Sequence, residues 1–389
     1  MTYRWRRASR HTAAARTQQH VSQHRTRKLP DTTLLIALGG LLFLGLVILS
    51  SASSVEAFRK FGDTYFYFRN QITHGLLPGL LLGYFAYRLS PQRWEQWAGW
   101  CLLGAFVLLV LVFIPGIGLS FGRAQSWIKL GPASFQPAEL VKFLVIIFLA
   151  AWFGQRTSSM NRDFWNGLVP FLIFLFCISF LVILQPDLGT LSVILAIAGC
   201  MYVVGGGAWR HIAALGMLGA GAIAALIWFA PYRFNRLMTF LNPELDPQGI
   251  GYHINQAFLA VGSGGWFGLG FGQSRQKFAY LPEVIGDSIF AVAAEELGFF
   301  LAASIVVLFA VIVWRCFMVA RRTPVRFNAL VAVGVGSWFG MQAFMNIGAM
   351  VGIMPLTGIP LPLVSYGGSS MMSILLASGV LLRISQDTG

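Results

Sequence analysis

Residues 32–52 read TTLLIALGGLLFLGLVILSSA, a run of 21 positions without one charged side chain. As a helix rising about 1.5 Å per residue, such a run crosses the roughly 30 Å hydrocarbon core of a bilayer. It is longer than the apolar core of a secretory signal, and the basic region before it is longer than a signal's charged start. It therefore reads as the first membrane helix. Ahead of it, residues 1–30 hold eight Lys and Arg among His, Gln and Thr with no apolar periodicity. That composition predicts a disordered basic cytoplasmic tail.

Runs of the same kind recur along the chain, centred near Gly40, Leu80, Val107, Ile146, Ile173, Ile194, Leu218, Ser304, Gly336 and Leu375. They predict an all-α polytopic membrane protein, about ten transmembrane helices in one domain over residues 31–389. Composition agrees, because 56% of residues are hydrophobic and 11% charged, against about 25% charged in soluble globular chains. Gln185-Pro-Asp187 separates the fifth and sixth runs, and proline there ends a helix at little cost. Cys101, Cys177, Cys200 and Cys316 fall in or beside apolar runs, so no disulfide framework is expected.

The formal charge of +14 is concentrated in the tail and in short loops, a membrane-orientation pattern, and no nucleic-acid partner is expected. Placing both termini in the cytoplasm puts 18 basic residues inside and nine outside, as the positive-inside rule requires. The longest connection, residues 231–286 between the seventh and eighth helices, then lies outside. Its glycines, aromatics and amphipathic stretches predict an ordered structure along the outer membrane face.

With only 14 carboxylates in the chain, the acid candidates can be enumerated. Glu56, Asp63, Glu139, Asp187, Glu244, Asp246, Glu283 and Asp287 fall at or near the outer side, and Glu295 and Glu296 deeper in the eighth helix. Asp287 directly precedes apolar residues. It is placed either to cap that helix or to act as a general base at the mouth of a membrane cavity. Glu139 and Lys142, three apart in Gln136-Pro-Ala-Glu-Leu-Val-Lys142, share one helix face. They form either a structural ion pair or part of a polar cavity for an anionic headgroup. Arg123 and Lys129 flank Trp127 and offer cations suited to a diphosphate.

Gly262-Ser-Gly-Gly-Trp-Phe-Gly-Leu-Gly-Phe-Gly272 lacks the strand and the lysine-threonine ending of a nucleotide loop, so no nucleotide is expected. Ser365-Tyr-Gly-Gly-Ser-Ser370 offers hydroxyls, read as exposed, where a chain approaches the last helix. No His or Cys cluster has metal-ligand spacing.

Seven segments in order resemble the SEDS family of bacterial peptidoglycan polymerases (shape, elongation, division and sporulation). They are Ser51-Ala-Ser53, Ser126-Trp-Ile-Lys-Leu-Gly131, Gln136 to Lys142, Leu184-Gln-Pro-Asp-Leu-Gly-Thr190, Gln256 with Gly262-Ser-Gly-Gly265, Tyr280 to Gly298, and Leu361-Pro-Leu-Val-Ser-Tyr-Gly-Gly-Ser-Ser370. The likeness runs from Thr32 to Arg383, and Gln273 to Pro282 is more similar to the division branch (FtsW-type) than to the elongation branch (RodA-type). The family's common His-Thr-Asp-Phe-Ile-Phe stands here as Ile285-Gly-Asp-Ser-Ile-Phe290.

The resemblance implies a glycosyltransferase acting on lipid II, a disaccharide-pentapeptide on undecaprenyl diphosphate, in the bacterial cytoplasmic membrane. Asp287 is then the essential acid, with Mg²⁺ or Mn²⁺ as a possible cofactor. Substrate-binding candidates are the cations Arg123, Lys129, Lys142, Arg275 and Lys277. Glu139, Gln185, Asp187, Glu283, Ser365 and Ser369 complete the set. A class B penicillin-binding protein and other divisome membrane proteins are the implied partners. The alternatives are a lipid II flippase, which would need a cavity open alternately to both faces and charge near the midplane, and a non-catalytic divisome scaffold, whereas a polymerase needs its acid at the outer face, where Asp287 stands.

The charge asymmetry makes a direct prediction. A reporter active only outside the cytoplasm should give signal when fused after Gln248 and none when fused at the C-terminus. Cytoplasmic signal at Gln248 would overturn the orientation and the site built on it.

Overall fold

The computed structural model of the chain describes residues 29–121, 124–130, 133–229, 238–246, 249–278 and 280–387. The tail predicted over residues 1–30 lies outside them except for its last two residues, as does Arg123. The protein is mostly helical, and a helix stands at every predicted centre. In chain order these are α1 (Thr32–Ala52), α2 (Phe66–Gln71) running on into α3 (Leu77–Arg88), α4 (Ala98–Leu111), α5 (Pro137–Gly154), α6 (Val169–Leu184), α7 (Leu188–Val204) and α8 (Trp209–Phe229). After the long connection come α9 (Ile250–Ser263), α10 (Ile289–Arg322), α11 (Arg326–Met350) and α12 (Gly368–Ser385). Among the described residues, six helices are long and apolar enough to cross a membrane by length and composition, with shorter apolar helices at Ala98–Leu111 and Leu188–Val204.

Local chemistry sets the helix ends. Asp31 Oδ1 caps α1 by accepting from Leu34 N at 2.9 Å, and Asp187 Oδ1 caps α7 through Thr190 N at 2.9 Å. A wide π turn at Ile72–Leu76 ends two residues before Pro78, and another at Phe164–Leu168 ends two residues before Pro170. A proline ring clashes with the carbonyl four residues back, and the wider turn relieves it.

α5, α11 and α12 form the buried centre, while α6 and α10 turn much of their apolar surface outward, as helices bordering lipid do. Gly75, Gly79 and Gly83, four residues apart, let α3 lie against α12. A Cβ on Gly379 would meet the Gly83 carbonyl oxygen at 2.1 Å, so bulk on either side separates the helices.

Two features were not foreseen. The segment around Trp127, read from the sequence only for its cations, is a small antiparallel sheet of β1 (Gly118–Phe121), β2 (Ala124–Leu130) and β3 (Ala133–Phe135), in the order β1-β2-β3. Its register pairs Leu119 with Trp127 and Ile128 with Phe135. Ser126 and Ile128 are buried and Lys129 is exposed, a period-two signature that the chain's apolar background hides.

The second is a break in α10. Gly298 has φ 75° and ψ −178° and interrupts the helix. The glycine run occupies the gap, with Phe299 N donating to Gly265 O at 2.9 Å and Leu269 N to Glu295 O at 3.0 Å. The long connection therefore does more than lie along a face, because α9 packs on α10 and the run after it docks into the bundle.

Gly298→Ala tests this junction. The added Cβ would sit 2.2 Å from Gly268 N and 2.5 Å from Phe267 C, both backbone atoms that cannot swing away. A residue forced into that backbone region costs about 1–3 kcal/mol before any clash, so thermal unfolding in detergent should begin at clearly lower temperature. Gly39→Ala, with nothing within 4 Å of its Cβ, should leave the transition unchanged or slightly raised.

Candidate active site

Asp287 stands at the last turn before α10, and the backbone around it is held carbonyl by carbonyl. Ile285 O accepts from Tyr366 N at 2.8 Å, Gly286 O from Ser365 Oγ at 2.6 Å, and Asp287 O from Asn346 Nδ2 at 2.8 Å. Asn346 Nδ2 also donates to Ile359 O at 2.8 Å, and Ser365 Oγ accepts from Leu361 N at 2.7 Å. The two turns that meet here each carry a non-glycine residue in the left-handed region, Glu283 (φ 48°) and Leu363 (φ 63°). Such conformations persist where the surroundings over-determine them.

This leaves the Asp287 carboxyl out of the capping role considered for it. The N-cap position of α10 belongs to Ser288, and no side chain caps the helix. Ser288 Oγ donates to Pro282 O at 2.8 Å, and His253 Nε2 lies 2.6 Å from the same hydroxyl. A hydroxyl has one proton. With it on Pro282, His253 supplies the Nε2 proton, and the 3.4 Å contact from Ser288 Oγ to Asp287 Oδ1 is weak. Burial lowers the His253 pKa, which keeps the ring neutral. Burial, aided by the nearby Glu283 charge, pushes the Asp287 carboxyl up to about 7. A carboxylate poised there is matched to general-base work near neutral pH.

Inside the bundle, Lys142 Nζ lies 2.7 Å from Glu139 Oε1 and 2.8 Å from Gln342 Oε1. The ammonium also stands 5.1 Å from the centre of the Trp338 ring. Both members of the pair are buried, so the shared helix face does point inward, and the pair is closed off from solvent. Gln342 Nε2 donates to Pro360 O at 2.8 Å, next to the Ile359 carbonyl that Asn346 holds. Trp338, Gln342 and Asn346, four apart along α11, thus tie the buried pair to the Asp287 turn. The sequence reading missed all three. Polar residues at helical spacing within an apolar span were the signal that could have found them.

The chain as a whole has relatives. The family model described as cell cycle protein, uniting FtsW, RodA and SpoVE, matches residues 32–389. The chain belongs to the FtsW/RodA/SpoVE family. It is 41% identical to stage V sporulation protein E of Bacillus subtilis over 92% of this chain and 97% of that one. It is 40% identical to a probable peptidoglycan glycosyltransferase FtsW of Halorhodospira halophila, over 91% of this chain and 90% of that one. Among solved structures, a chain of a peptidoglycan synthase complex that coordinates polymerization and crosslinking matches with TM-score 0.77 at 28% identity, covering 92% of this chain and 98% of that one. The rod shape determining protein RodA of Thermus thermophilus matches with TM-score 0.68 at 28% identity, covering 92% and 97%.

The other site candidates of this FtsW/RodA/SpoVE chain divide by whether their polar atoms are already engaged. Lys129 on β2, Arg275 and Glu283 keep exposed side chains. Lys277 does not, which corrects its reading as a substrate cation. Its ammonium meets Glu296 Oε1 at 2.8 Å, Gly272 O at 2.7 Å and Ser51 Oγ at 3.1 Å, using all three donors. Ser365 and Ser369, expected to be exposed, are buried, and Ser369 Oγ accepts from Gln136 N at 2.9 Å. Asp187 caps α7 and accepts from Gln136 Nε2 at 3.3 Å, while Gln185 is buried and donates to Leu109 O at 3.0 Å. These residues join helix ends to one another. Among the described residues, no group of three or more His, Cys, Asp or Glu is placed to hold a metal ion.

The buried pair gives a stability test. Lys142→Met leaves Glu139 charged and unpaired, which should remove about 3–5 kcal/mol. Adding Glu139→Gln should restore most of the loss in denaturant unfolding in detergent. Equal instability of the single and double variants would show that the pairing matters little.

Proposed function

We propose that this chain is a peptidoglycan glycosyltransferase. It polymerises lipid II into glycan strands at the outer face of the bacterial cytoplasmic membrane during cell division. The observation that carries the reading is the uncapped Asp287 carboxyl, raised to about 7 on a turn whose three carbonyls are pinned. The relatives named FtsW, matched along most of their length, support the same reaction class.

In the proposed step the acceptor sugar's 4-hydroxyl attacks the anomeric carbon of the lipid-linked strand. Asp287 takes the hydroxyl proton as the new carbon–oxygen bond forms. The bond from that carbon to the diphosphate oxygen breaks, its electron pair leaves with the polyprenyl diphosphate, and the configuration inverts. Lys129 and Arg275, both exposed, are the cations assigned to the leaving group. Glu283, exposed beside Asp287, is the carboxylate that would hold a Mg²⁺ or Mn²⁺, and such an ion would offset diphosphate charge. Both termini are assigned to the cytoplasm. A class B penicillin-binding protein that crosslinks the product is the assigned partner, in keeping with the match to a peptidoglycan synthase complex, together with other divisome membrane proteins.

Loss of the base should be plain in lipid II polymerisation by purified protein with its partner. Asp287→Asn keeps shape but has no basic oxygen, and losing general-base assistance typically costs 10²–10⁴-fold in rate. The ionised carboxylate is the active form, so wild-type rate should rise with pH through about 7. With no divalent ion present, Glu283→Gln removes the like charge that helps to raise Asp287, and should move this limb to lower pH. Near wild-type polymerisation by Asp287→Asn, with normal expression and partner binding, would end the assignment.

A further inference from the structure

Two polar contacts mark heights along the neighbouring helices α1 and α10. At one end Arg315 Nε meets Asp31 Oδ1 at 3.1 Å, and at the other Ser51 Oγ meets Glu296 Oε1 at 2.8 Å. Arg315 and Glu296 are 19 residues apart, Asp31 and Ser51 are 20 apart, and neither interval contains a charged side chain. At about 1.5 Å per residue the unbroken interval on α1 spans roughly 30 Å, the thickness of a bilayer's hydrocarbon core, and the same two contacts bracket the α10 interval beside it. The two contacts therefore sit at its two boundaries, where charge is tolerated.

Phe299 and Phe300 lie three and four residues inside Glu296, just past the break at Gly298 and on the hydrocarbon side of that boundary. Their N–H groups donate to Gly265 O at 2.9 Å and Trp266 O at 3.4 Å, which brings the glycine run to the same depth. Leu269 N and Gly270 N then donate to the carbonyls of Glu295 and Glu296, both at 3.0 Å, so the chain has climbed back to the boundary. Gly268 N closes the turn on Gly264 O at 2.8 Å. Non-helical backbone at membrane depth is tolerated where its polar groups are paired within the protein. The close approach needs glycine, because a Cβ on Gly264 would meet Ala294 O at 2.0 Å and one on Gly268 would meet Glu296 O at 2.2 Å.

The side chains at the tip point away from the bundle. Trp266 is 64% exposed and Phe267 83%. Trp266 packs against Phe299 and Phe300 with ring centres 5.3 and 5.7 Å apart, and Phe267 against Phe300 at 5.6 Å. No charged residue occurs from Ile254 to Ser274. The patch continues the outward apolar face of α10, which runs on through the exposed Val307 and Trp314.

We infer that residues 264–270 form a re-entrant hairpin inserted in the loop-side leaflet, with Trp266 and Phe267 in contact with lipid acyl chains. The occupant is lipid because the patch lies below the Ser51–Glu296 boundary and continues a face that already borders lipid. The hairpin anchors the segment that begins at Gly272 and ends at Asp287, and so sets the height of that turn above the membrane.

A spin label reads this depth. The full chain carrying Phe267→Cys, with Cys177→Ala and Cys200→Ala to remove the accessible thiols, is labelled and placed in phosphatidylethanolamine–phosphatidylglycerol vesicles. Relaxation by oxygen, which concentrates among acyl chains, should exceed relaxation by a water-soluble nickel chelate. A Lys129→Cys label on β2 should show the opposite order. Preference for the chelate at position 267, or shielding from both reagents by a protein neighbour, would overturn the inference. The unsubstituted protein offers a second measurement, carbene labelling from a lipid with a diazirine in its acyl chain. Trp266 and Phe267 should be modified along with Val307, and modification of Val307 without either aromatic would refute insertion.

Discussion

The contact between Lys277 and Glu296 is the one on which the arrangement of the loop end depends. Both side chains are buried at the end of the spanning part of α10, where an unpaired charge would be strongly destabilising. Ser51 of α1 donates to the same carboxylate oxygen. Gly272 N and Ser274 N donate to Glu296, and Ser274 Oγ, Arg275 N and Gln276 N to the adjacent Glu295. Two neighbouring carboxylates thus gather backbone N–H groups from one stretch of the long connection and bind it to α1 and α10. That stretch leads into the Asp287 turn, so the pairing of a buried charge decides where the Asp287 carboxyl is presented.

The turn itself is fixed through its backbone, which leaves its side chain available. Ser365, Tyr366 and Asn346 hold three successive carbonyls, while the N-cap position falls to Ser288. A carboxylate engaged as a helix cap would have its acceptors occupied and its pKa held low. Asp287 instead lies half-buried next to Glu283, and burial moves it toward neutrality. Pinned main chain, free side chain and raised pKa are what the proposed role of general base requires.

α11 gives this surface feature a connection to the interior. Gln342 touches Lys142 and the Pro360 carbonyl, and Asn346 touches the Ile359 and Asp287 carbonyls. The loop over residues 357–367 therefore rests on two amides of one helix face. Displacement of the buried pair would reach the Asp287 turn through few intervening atoms. Glu139 Oε2 has no hydrogen-bond partner among the described atoms, and a buried acceptor of this kind holds unused capacity for a polar group.

What the sequence by itself determined follows from one-dimensional physics. Apolar length and the exclusion of charge from hydrocarbon located a helix at each predicted centre, the rarity of carboxylates kept the acid candidates few, and the family resemblance pointed to Asp287 among them. Asp187 was placed in a turn by its neighbouring proline, and Glu139 and Lys142 were put together by their spacing of three. Tertiary structure decided the rest, because the partners are far apart in the chain. Ser51 meets Glu296 across 245 positions and Gly367 N meets Gln71 across 296. No local periodicity encodes such pairs. They turned Lys277, Ser365 and Ser369 from prospective substrate ligands into internal ties, and brought in Gln342, Asn346 and His253. The glycine run was visible as glycine, but its use depended on the break at Gly298, where two backbones approach too closely for any side chain.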